Sequence, residues 1–365
     1  MQKNCFSYPV EIVEDVFGSS PVLADVLKKV TGSDKPKVLI VADYNFVQRV
    51  DGIGAKIGRY VQEHGIRIAG KPIVIAGGER IKSDSMRCAL RVISEMLSAK
   101  LCAHDVVLVI GGGSLMDIAG YAASQVRGGV KLVRMPTSPA AMIDGAFAEY
   151  AAVDSATIKD ALRVPAVPAA VVIDLAFAKT VLDGVWRGGL GEAVRLGVVS
   201  DAALIRKIEK LLPDYLARKQ EAFEEIVKAA VAVRQKKGGT NFAQWLAMRL
   251  EAMSSFKLPH GYAIGISICV DLSYAAETKR MKPADRDRII NLLGEAGVLD
   301  GIRHSVQHLA QTDSLLQGLD EWALGFADDP IALPTAIGKC ELEEDPDRAV
   351  FEKVLKNMIT SATRT

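Results

Sequence analysis

Two textures of apolar patterning divide the chain. In the first half, short β-branched runs alternate with segments whose apolar residues recur at helical spacing. Lys37–Ala42 (KVLIVA), Pro72–Ala76 (PIVIA), Asp105–Ile110 (DVVLVI), Val130–Met135 and Ala169–Ile173 (AAVVI) read as strands. Gly54–Gly65 and Asp84–Ala99 read as helices between them. Strands separated by helices predict βαβ units and a parallel, Rossmann-like sheet. From Ala176 onward strand-like runs almost vanish. Leu190–Val199, Ala202–Leu212, Phe223–Lys237, Phe242–Met253, Gly261–Thr278 and Ala284–Ala296 predict a helical half. The expected organisation is α/β over residues 1–175 and all-helical over residues 176–365, with Pro165-Ala166-Val167-Pro168 near the seam.

The 365 residues suit two domains better than one core. Lys plus Arg number 45 and Asp plus Glu 44, so the basic excess of nucleic-acid and membrane-surface proteins is absent. Apolar runs such as Val106–Ile110 are short and broken by Gly and Asp, and no basic start precedes an apolar stretch at Met1–Pro9. Cys5, Cys88, Cys102, Cys269 and Cys340 are odd in number and widely spaced, which predicts free thiols in a cytoplasmic protein.

The strongest local signal is Asp105–Ala119, D-V-V-L-V-I-G-G-G-S-L-M-D-I-A, a strand running through a triple glycine into a helix. Glycine permits close approach of a ligand to the backbone, and a helix N-terminus offers unpaired N–H groups to a pyrophosphate. Taken alone, the turn fits a ligand-free strand–helix junction equally well. It is not the G-x-G-x-x-G fingerprint of ordinary dinucleotide folds.

Five segments together carry a resemblance. A-G-G-E-R-I-K-S (Ala76–Ser83), G-G-G-S-L-M-D-I-A-G-Y (Gly111–Tyr121), M-P-T-S-P-A-A-M-I-D (Met135–Asp144), G-L-G-E-A-V-R-L-G (Gly189–Gly197) and P-H-G-Y-A-I-G (Pro259–Gly265) occur in the order of the motifs of dehydroquinate synthases. The chain is similar to that family of sugar phosphate cyclases over roughly residues 37 to 275, with glycerol-1-phosphate and iron-dependent alcohol dehydrogenases as more distant relatives. The resemblance implies NAD held by Asp43, Asn45, Glu79, Lys82, Gly112, Gly113, Ser114, Asp117, Thr137 and Ser138. It also implies transient oxidation of a phosphorylated sugar, loss of phosphate and ring closure, with Asp144, Lys159, Arg195, Lys228 and Asn241 as candidate catalytic groups. A homodimer is the family expectation.

The family's metal, zinc or cobalt, rests on a Glu and two His residues. Glu192 and His260 match two of these positions. Thr240–Glu251 reads T-N-F-A-Q-W-L-A-M-R-L-E, with Gln244 and Met248 where the family has histidines. Gln244 is the remaining metal candidate, and its neutral amide makes zinc retention doubtful because zinc favours nitrogen and carboxylate donors. Tyr150 stands for a substrate lysine, Arg195 for a lysine and Tyr262 for the glutamate of H-G-E. These changes predict a reaction other than ordinary dehydroquinate synthesis. The alternatives are a catalytically silent NAD-binding homologue that serves as a partner protein, or a polyol or glycerol-phosphate dehydrogenase. Glu192 paired with Arg195, and Lys159 and Lys228 in solvent, are the plain readings of the same residues. His64, His104, His304 and His308 have no motif context and read as surface or loop residues.

Overall fold

A computed structural model describes residues 7–84, 86–155, 157–300, 302, 308, 310–325 and 330–362. Its contacts divide into two compact units. One comprises Ser7–Ser155 together with Asp160–Val181, and the other comprises Leu182 onward together with the short stretch ending at Lys159.

The first unit is built on a seven-stranded sheet. Its strands are β1 (Val10–Val13), β2 (Lys37–Asp43), β3 (Arg67–Ile68), β4 (Ile73–Ile75), β5 (Val106–Gly111), β6 (Lys131–Pro136) and β9 (Ala170–Asp174). The order is β1-β9-β6-β5-β2-β3, with β4 also paired to β2, and every pairing is parallel. β5 and β9 are buried at every residue, which explains their continuous apolar runs: a parallel strand covered on both faces has no polar side to show. Helices α1 (Val22–Thr31), α2 (Tyr44–Arg49), α3 (Ile53–Glu63), α4 (Arg87–Ser98), α5 (Gly113–Gln125) and α6 (Pro139–Ile143) alternate with the strands. A separate antiparallel hairpin, β7 (Tyr150–Val153) with β8 (Leu162–Pro165), lies against α5. Leu175–Thr180 goes with this unit, since Phe177 packs on Phe17 and Phe46.

The second unit is a helical array of α7 (Asp183–Ser200), α8 (Ala202–Leu216), α9 (Gln220–Lys237), α10 (Gln244–Met253), α11 (His260–Glu277), α12 (Pro283–Glu295), α13 (Thr312–Gly325) and α14 (Arg348–Ala362). It also holds an antiparallel hairpin, β10 (Ile331–Ala336) with β11 (Lys339–Glu343), which the apolar pattern did not predict. α7 is buried from Gly188 to Val199 without a polar face, as expected of a helix at the centre of its unit. It crosses α11 at a pair of glycines. A Cβ on Gly261 would stand 2.1 Å from Gly188 Cα, and one on Gly191 would stand 3.1 Å from the Gly261 carbonyl. A backbone-to-backbone crossing of this kind excludes any side chain.

Inside this array Asp271 on α11 is fully buried and accepts from Trp245 Nε1 at 2.9 Å and Ala243 N at 3.0 Å. The second bond steadies Ala243, which enters α10 at φ 60 although it is not glycine. Burial pushes the carboxyl up to about 7 in spite of the two hydrogen bonds. Among the described residues Cys88, Cys102, Cys269 and Cys340 are free thiols, while Cys5 lies outside them. No described helix is long and apolar enough to cross a membrane.

Gly261→Ala should destabilise by about 1–3 kcal/mol or more through overpacking, whereas Gly294→Ala, whose Cβ meets nothing within 4 Å, should be neutral or mildly stabilising. Urea melts of the two variants check this. Asp271 binds its proton more tightly when folded, so its contribution is fully present below about pH 4 and is lost as pH rises through about 7. Asp271→Asn should therefore flatten the pH dependence of stability between those limits. Melting temperatures with an unchanged slope would rule this out.

Candidate functional site

The triple glycine forms an open cradle at the C-terminal end of the sheet. β5 ends at Gly111, whose carbonyl accepts from Thr137 N at 3.0 Å, and α5 starts at Gly113. A Cβ on Gly112 would find only Ser138 Oγ, at 3.8 Å, and one on Gly113 would find nothing within 4 Å. The space before the helix N-terminus is thus clear, while Gly111 itself is tight against Leu115. At the end of β2, Asp43 caps α2 by accepting from Asn45 N at 2.7 Å and Phe46 N at 3.3 Å. Gly77 leaves room for that carboxylate, since a Cβ there would fall 1.9 Å from Asp43 Oδ2. These features fit a dinucleotide: a Cβ-free approach to a helix N-terminus, and a carboxylate at the tip of a neighbouring strand.

Beside the cradle lies a buried ionic cluster. Lys82 Nζ sits 2.5 Å from Asp160, 2.8 Å from Asp117, 3.1 Å from Glu79 and 3.5 Å from Asp154. Glu79 in turn accepts from Ser114 Oγ at 2.5 Å. Burial works against the ammonium, but Asp117, Asp160, Glu79 and Asp154 outweigh it and hold Lys82 charged. Glu79, Asp154 and Asp160 are near enough to one another to chelate an ion, yet the lysine already occupies the space they share.

Arg134 on β6 is wholly buried and spends its guanidinium on three carbonyls: Ala146 at 3.2 Å, Ala148 at 2.5 Å and Ala166 at 3.0 Å. It thereby fixes the segment after Asp144, which itself ends α6. Tyr150, at the position of the family's substrate lysine, lies under the guanidinium of Arg163, 3.6 Å from its ring centroid. Burial pushes the Tyr150 hydroxyl up to about 12, so it is a neutral group.

In the helical unit the Gly188–Gly261 crossing sets Glu192, one turn further along α7, against His260, the first residue of α11. Glu192 Oε1 is 2.8 Å from His260 Nε2 and Oε2 is 2.7 Å from Arg195 Nε. His260 Nδ1 is 2.7 Å from Glu251 Oε1, and Lys159 Nζ is 3.0 Å from Glu251 Oε2. Arg195 Nη1 also donates to Thr240 O at 2.6 Å. The result is an alternating chain of charge, Arg195–Glu192–His260–Glu251–Lys159. Every member is buried except His260, whose side chain is 42% exposed. Desolvation opposes both charges, but Glu251 and Glu192 hold the imidazole protonated above its ordinary range, and Arg195 and His260 hold Glu192 below the usual carboxylate range.

The donor set does not fit a catalytic zinc. Such a site takes three protein ligands, each a nitrogen, sulfur or carboxylate donor. Glu192 and Glu251 take opposite ring nitrogens of His260, so among the described residues no three donor atoms converge here. Gln244 and Met248 lie half-buried on one face of α10 and bring no charge.

The chain matches the 3-dehydroquinate synthase N-terminal family over residues 72–187 and the 3-dehydroquinate synthase C-terminal family over residues 189–317. It belongs to the dehydroquinate-synthase-like sugar phosphate cyclases. A 3-dehydroquinate synthase of Pyrobaculum islandicum is 25% identical over 336 residues, covering 86% of this chain and 94% of the relative. A 2-epi-valiolone synthase of Actinosynnema mirum is 29% identical over 236 residues, covering 61% of each. The fold is shared with a 2-epi-5-epi-valiolone synthase from Streptomyces hygroscopicus subsp. jinggangensis, solved with NAD+ and Zn2+ bound (TM-score 0.82, 22% identity, 98% of both chains). It is also shared with a 2-deoxy-scyllo-inosose synthase complexed with carbaglucose-6-phosphate, NAD+ and Co2+ (TM-score 0.77, 15% identity, 98% of this chain and 99% of that one).

Two of the residues singled out by the motifs stand apart from these clusters. Lys228 is exposed on α9 and pairs with Glu224 one turn away. Asn241 spends its amide on the second hairpin, donating to Pro330 O at 2.8 Å and accepting from Ala332 N at 2.9 Å. Asn45 has an exposed side chain, while Thr137 is buried. Sequence reasoning gave no role to four residues: Glu251, kept from the family pattern, and Asp154, Asp160 and Arg134. Glu251 closes the Thr240–Glu251 segment, where its match to the family pattern was a usable signal. Asp160 follows Lys159 directly. Nothing in the sequence marks Arg134 except a charge inside an apolar run. His64 stacks on Tyr60 and bonds its carbonyl, His104 is exposed, His308 is half-buried, and His304 lies outside the described residues.

Gly112→Val should fold, because the added Cβ meets only Ser138 Oγ, at an ordinary contact distance of 3.8 Å, and should abolish NAD binding by filling the cradle. Isothermal titration with equal affinity for the variant and the unaltered chain would displace the cofactor from this turn.

Proposed function

We propose that this chain is an NAD-dependent carbon–oxygen lyase of the sugar phosphate cyclase type, acting on a phosphorylated keto-sugar other than the dehydroquinate precursor. The observation that carries the reading is the open Gly112–Gly113 cradle at the N-terminus of α5. Gly112, Gly113 and the α5 N–H groups would take the pyrophosphate, with Thr137 and Ser138 alongside it. Asp43 would take a ribose hydroxyl, and Glu79, Lys82, Ser114 and Asp117 would line the same side. Bound NAD supplies a hydride acceptor, and a relative of the same fold was solved with carbaglucose-6-phosphate, NAD+ and Co2+.

The substrate preference stems from charge. Tyr150 is a neutral hydroxyl where the family has a lysine, so a ligand group that needs a fixed cation there is disfavoured. Within the helical unit, Arg195 and Lys159 are the buried cations, each paired with a carboxylate. Lys228 and Asn241 are given up as catalytic candidates, since the first is in solvent and the second is a fastener for β10. Asp144 stays a candidate at the end of α6.

One observation favours a second reading, that of a silent NAD-binding homologue acting as a partner protein. Both His260 nitrogens are already held by carboxylates, which leaves the imidazole no spare N–H for a substrate. Phosphate release separates the two readings. Incubation with NAD and a panel of hexose and heptulose phosphates should liberate inorganic phosphate from at least one of them. NAD binding without phosphate release from any would favour the partner protein. The chain should also fail to restore growth without aromatic supplements to a strain lacking dehydroquinate synthase. Growth there would mean that the Tyr150 and Met248 replacements leave the ordinary reaction intact.

A further inference from the structure

The mismatch between the Glu192–His260 centre and a metal has a structural counterpart in Arg195. We propose that the Arg195 guanidinium is the fixed cation of this centre, taking the place of a divalent ion and making the Glu192–His260 pair assemble without metal.

Three observations converge. Arg195 Nε meets Glu192 Oε2 at 2.7 Å, on the carboxylate that would otherwise ligate an ion. Its Nη1 reaches Thr240 O at 2.6 Å and Phe242 O at 3.4 Å, on the loop that leads into α10. That helix carries Gln244 and Met248, where imidazoles would be needed to complete a metal site. A guanidinium is planar and forked, so one side chain binds a carboxylate with one edge and backbone carbonyls with another, a task a lysine ammonium on its flexible stem performs poorly. The gain of the fork at residue 195 and the lack of imidazoles at residues 244 and 248 are thus two halves of one arrangement.

Charge gives the same answer. Among the described residues each carboxylate of the centre faces a fixed cation, Glu192 facing Arg195 and Glu251 facing Lys159. The carboxylates are thus already compensated, and a dication beside Glu192 would be repelled by a buried guanidinium one side chain away. Lys159 plays the matching part on the far carboxylate, 3.0 Å from Glu251 Oε2. This arrangement is independent of whether the chain turns over a sugar phosphate, and metal content and melting temperature report on it directly.

The chain purified without chelator should contain well below one zinc per molecule by elemental mass spectrometry. Its melting temperature should be unmoved by EDTA or by added zinc. Arg195→Met keeps the apolar stem and removes the cation. It should melt lower in EDTA, since a buried carboxylate has lost its partner. It should also bind zinc roughly tenfold more tightly than the unaltered chain, because the positive charge that repels the ion beside Glu192 is gone, and zinc should restore part of its melting temperature. Adding His260→Ala should erase that gain. Should Arg195→Met not fold, Arg195→Lys, which keeps a charge but loses the fork, is measured instead and should show the same changes to a smaller degree. A near-stoichiometric zinc in the unaltered chain, removed by His260→Ala, would overturn the proposal. Zinc affinity unchanged in whichever Arg195 variant folds would overturn it equally.

Discussion

Two glycines hold the helical unit's centre in place. Gly188 and Gly261 let α7 and α11 touch backbone to backbone, with room for no side chain between them. Helices normally stand 8–10 Å apart, and contact this close dictates which side chains meet further along each helix. Glu192 comes one turn after Gly188, and His260 immediately precedes Gly261, so a carboxylate and an imidazole must meet. Glu251 and Arg195 then complete the chain of charge from the neighbouring turns. The crossing is a property of shape alone, indifferent to which ion or side chain neutralises the carboxylate.

Both units bury ionic groups, and they solve the resulting problem in opposite ways. The Lys82 cluster gathers four carboxylates around one ammonium. The Glu192 centre alternates signs and ends in cations. A buried pair is weak evidence for stability, since desolvation can exceed the attraction, but removing one partner leaves an uncompensated charge at high cost. Each network therefore constrains its members together, and a substitution at one position is tolerated only with a matching change at another.

Much of the fold was legible because it rests on periodicity. β2, β5 and β9 are built on continuous apolar runs and β6 on one interrupted by Arg134, and α8, α9, α11 and α12 begin and end within three residues of their apolar patterns or, for α8, run one turn longer. The hairpins were not legible. β7–β8 and β10–β11 are short, and β10 carries Pro334, a residue that argues against a strand when read in isolation. At the site, Glu192 and His260 could be singled out from motifs, and their contact is in the structure. The Glu192–Arg195 pair was visible as a three-residue helical spacing. The role of Asn241 was not, because its partners lie some ninety residues on, in a hairpin that the pattern did not reveal. Lys159 and Lys228 looked alike in sequence, and only burial separates the ion-paired one from the solvated one.

β1 sets a timetable for the chain. Among the described residues its partner in the sheet is β9, with Val10 opposite Val171, so the earliest described strand of that sheet pairs with its latest. At ribosomal rates of roughly 5–20 residues per second, the partner emerges on the order of ten to thirty seconds later. Throughout that interval Val10–Val13 lacks its sheet partner, while β2, β5 and β6 can already assemble beside one another. Closure of the sheet is thus a late event of biosynthesis, and the nascent chain has to keep four β-prone residues from pairing elsewhere until Ala170–Asp174 arrives.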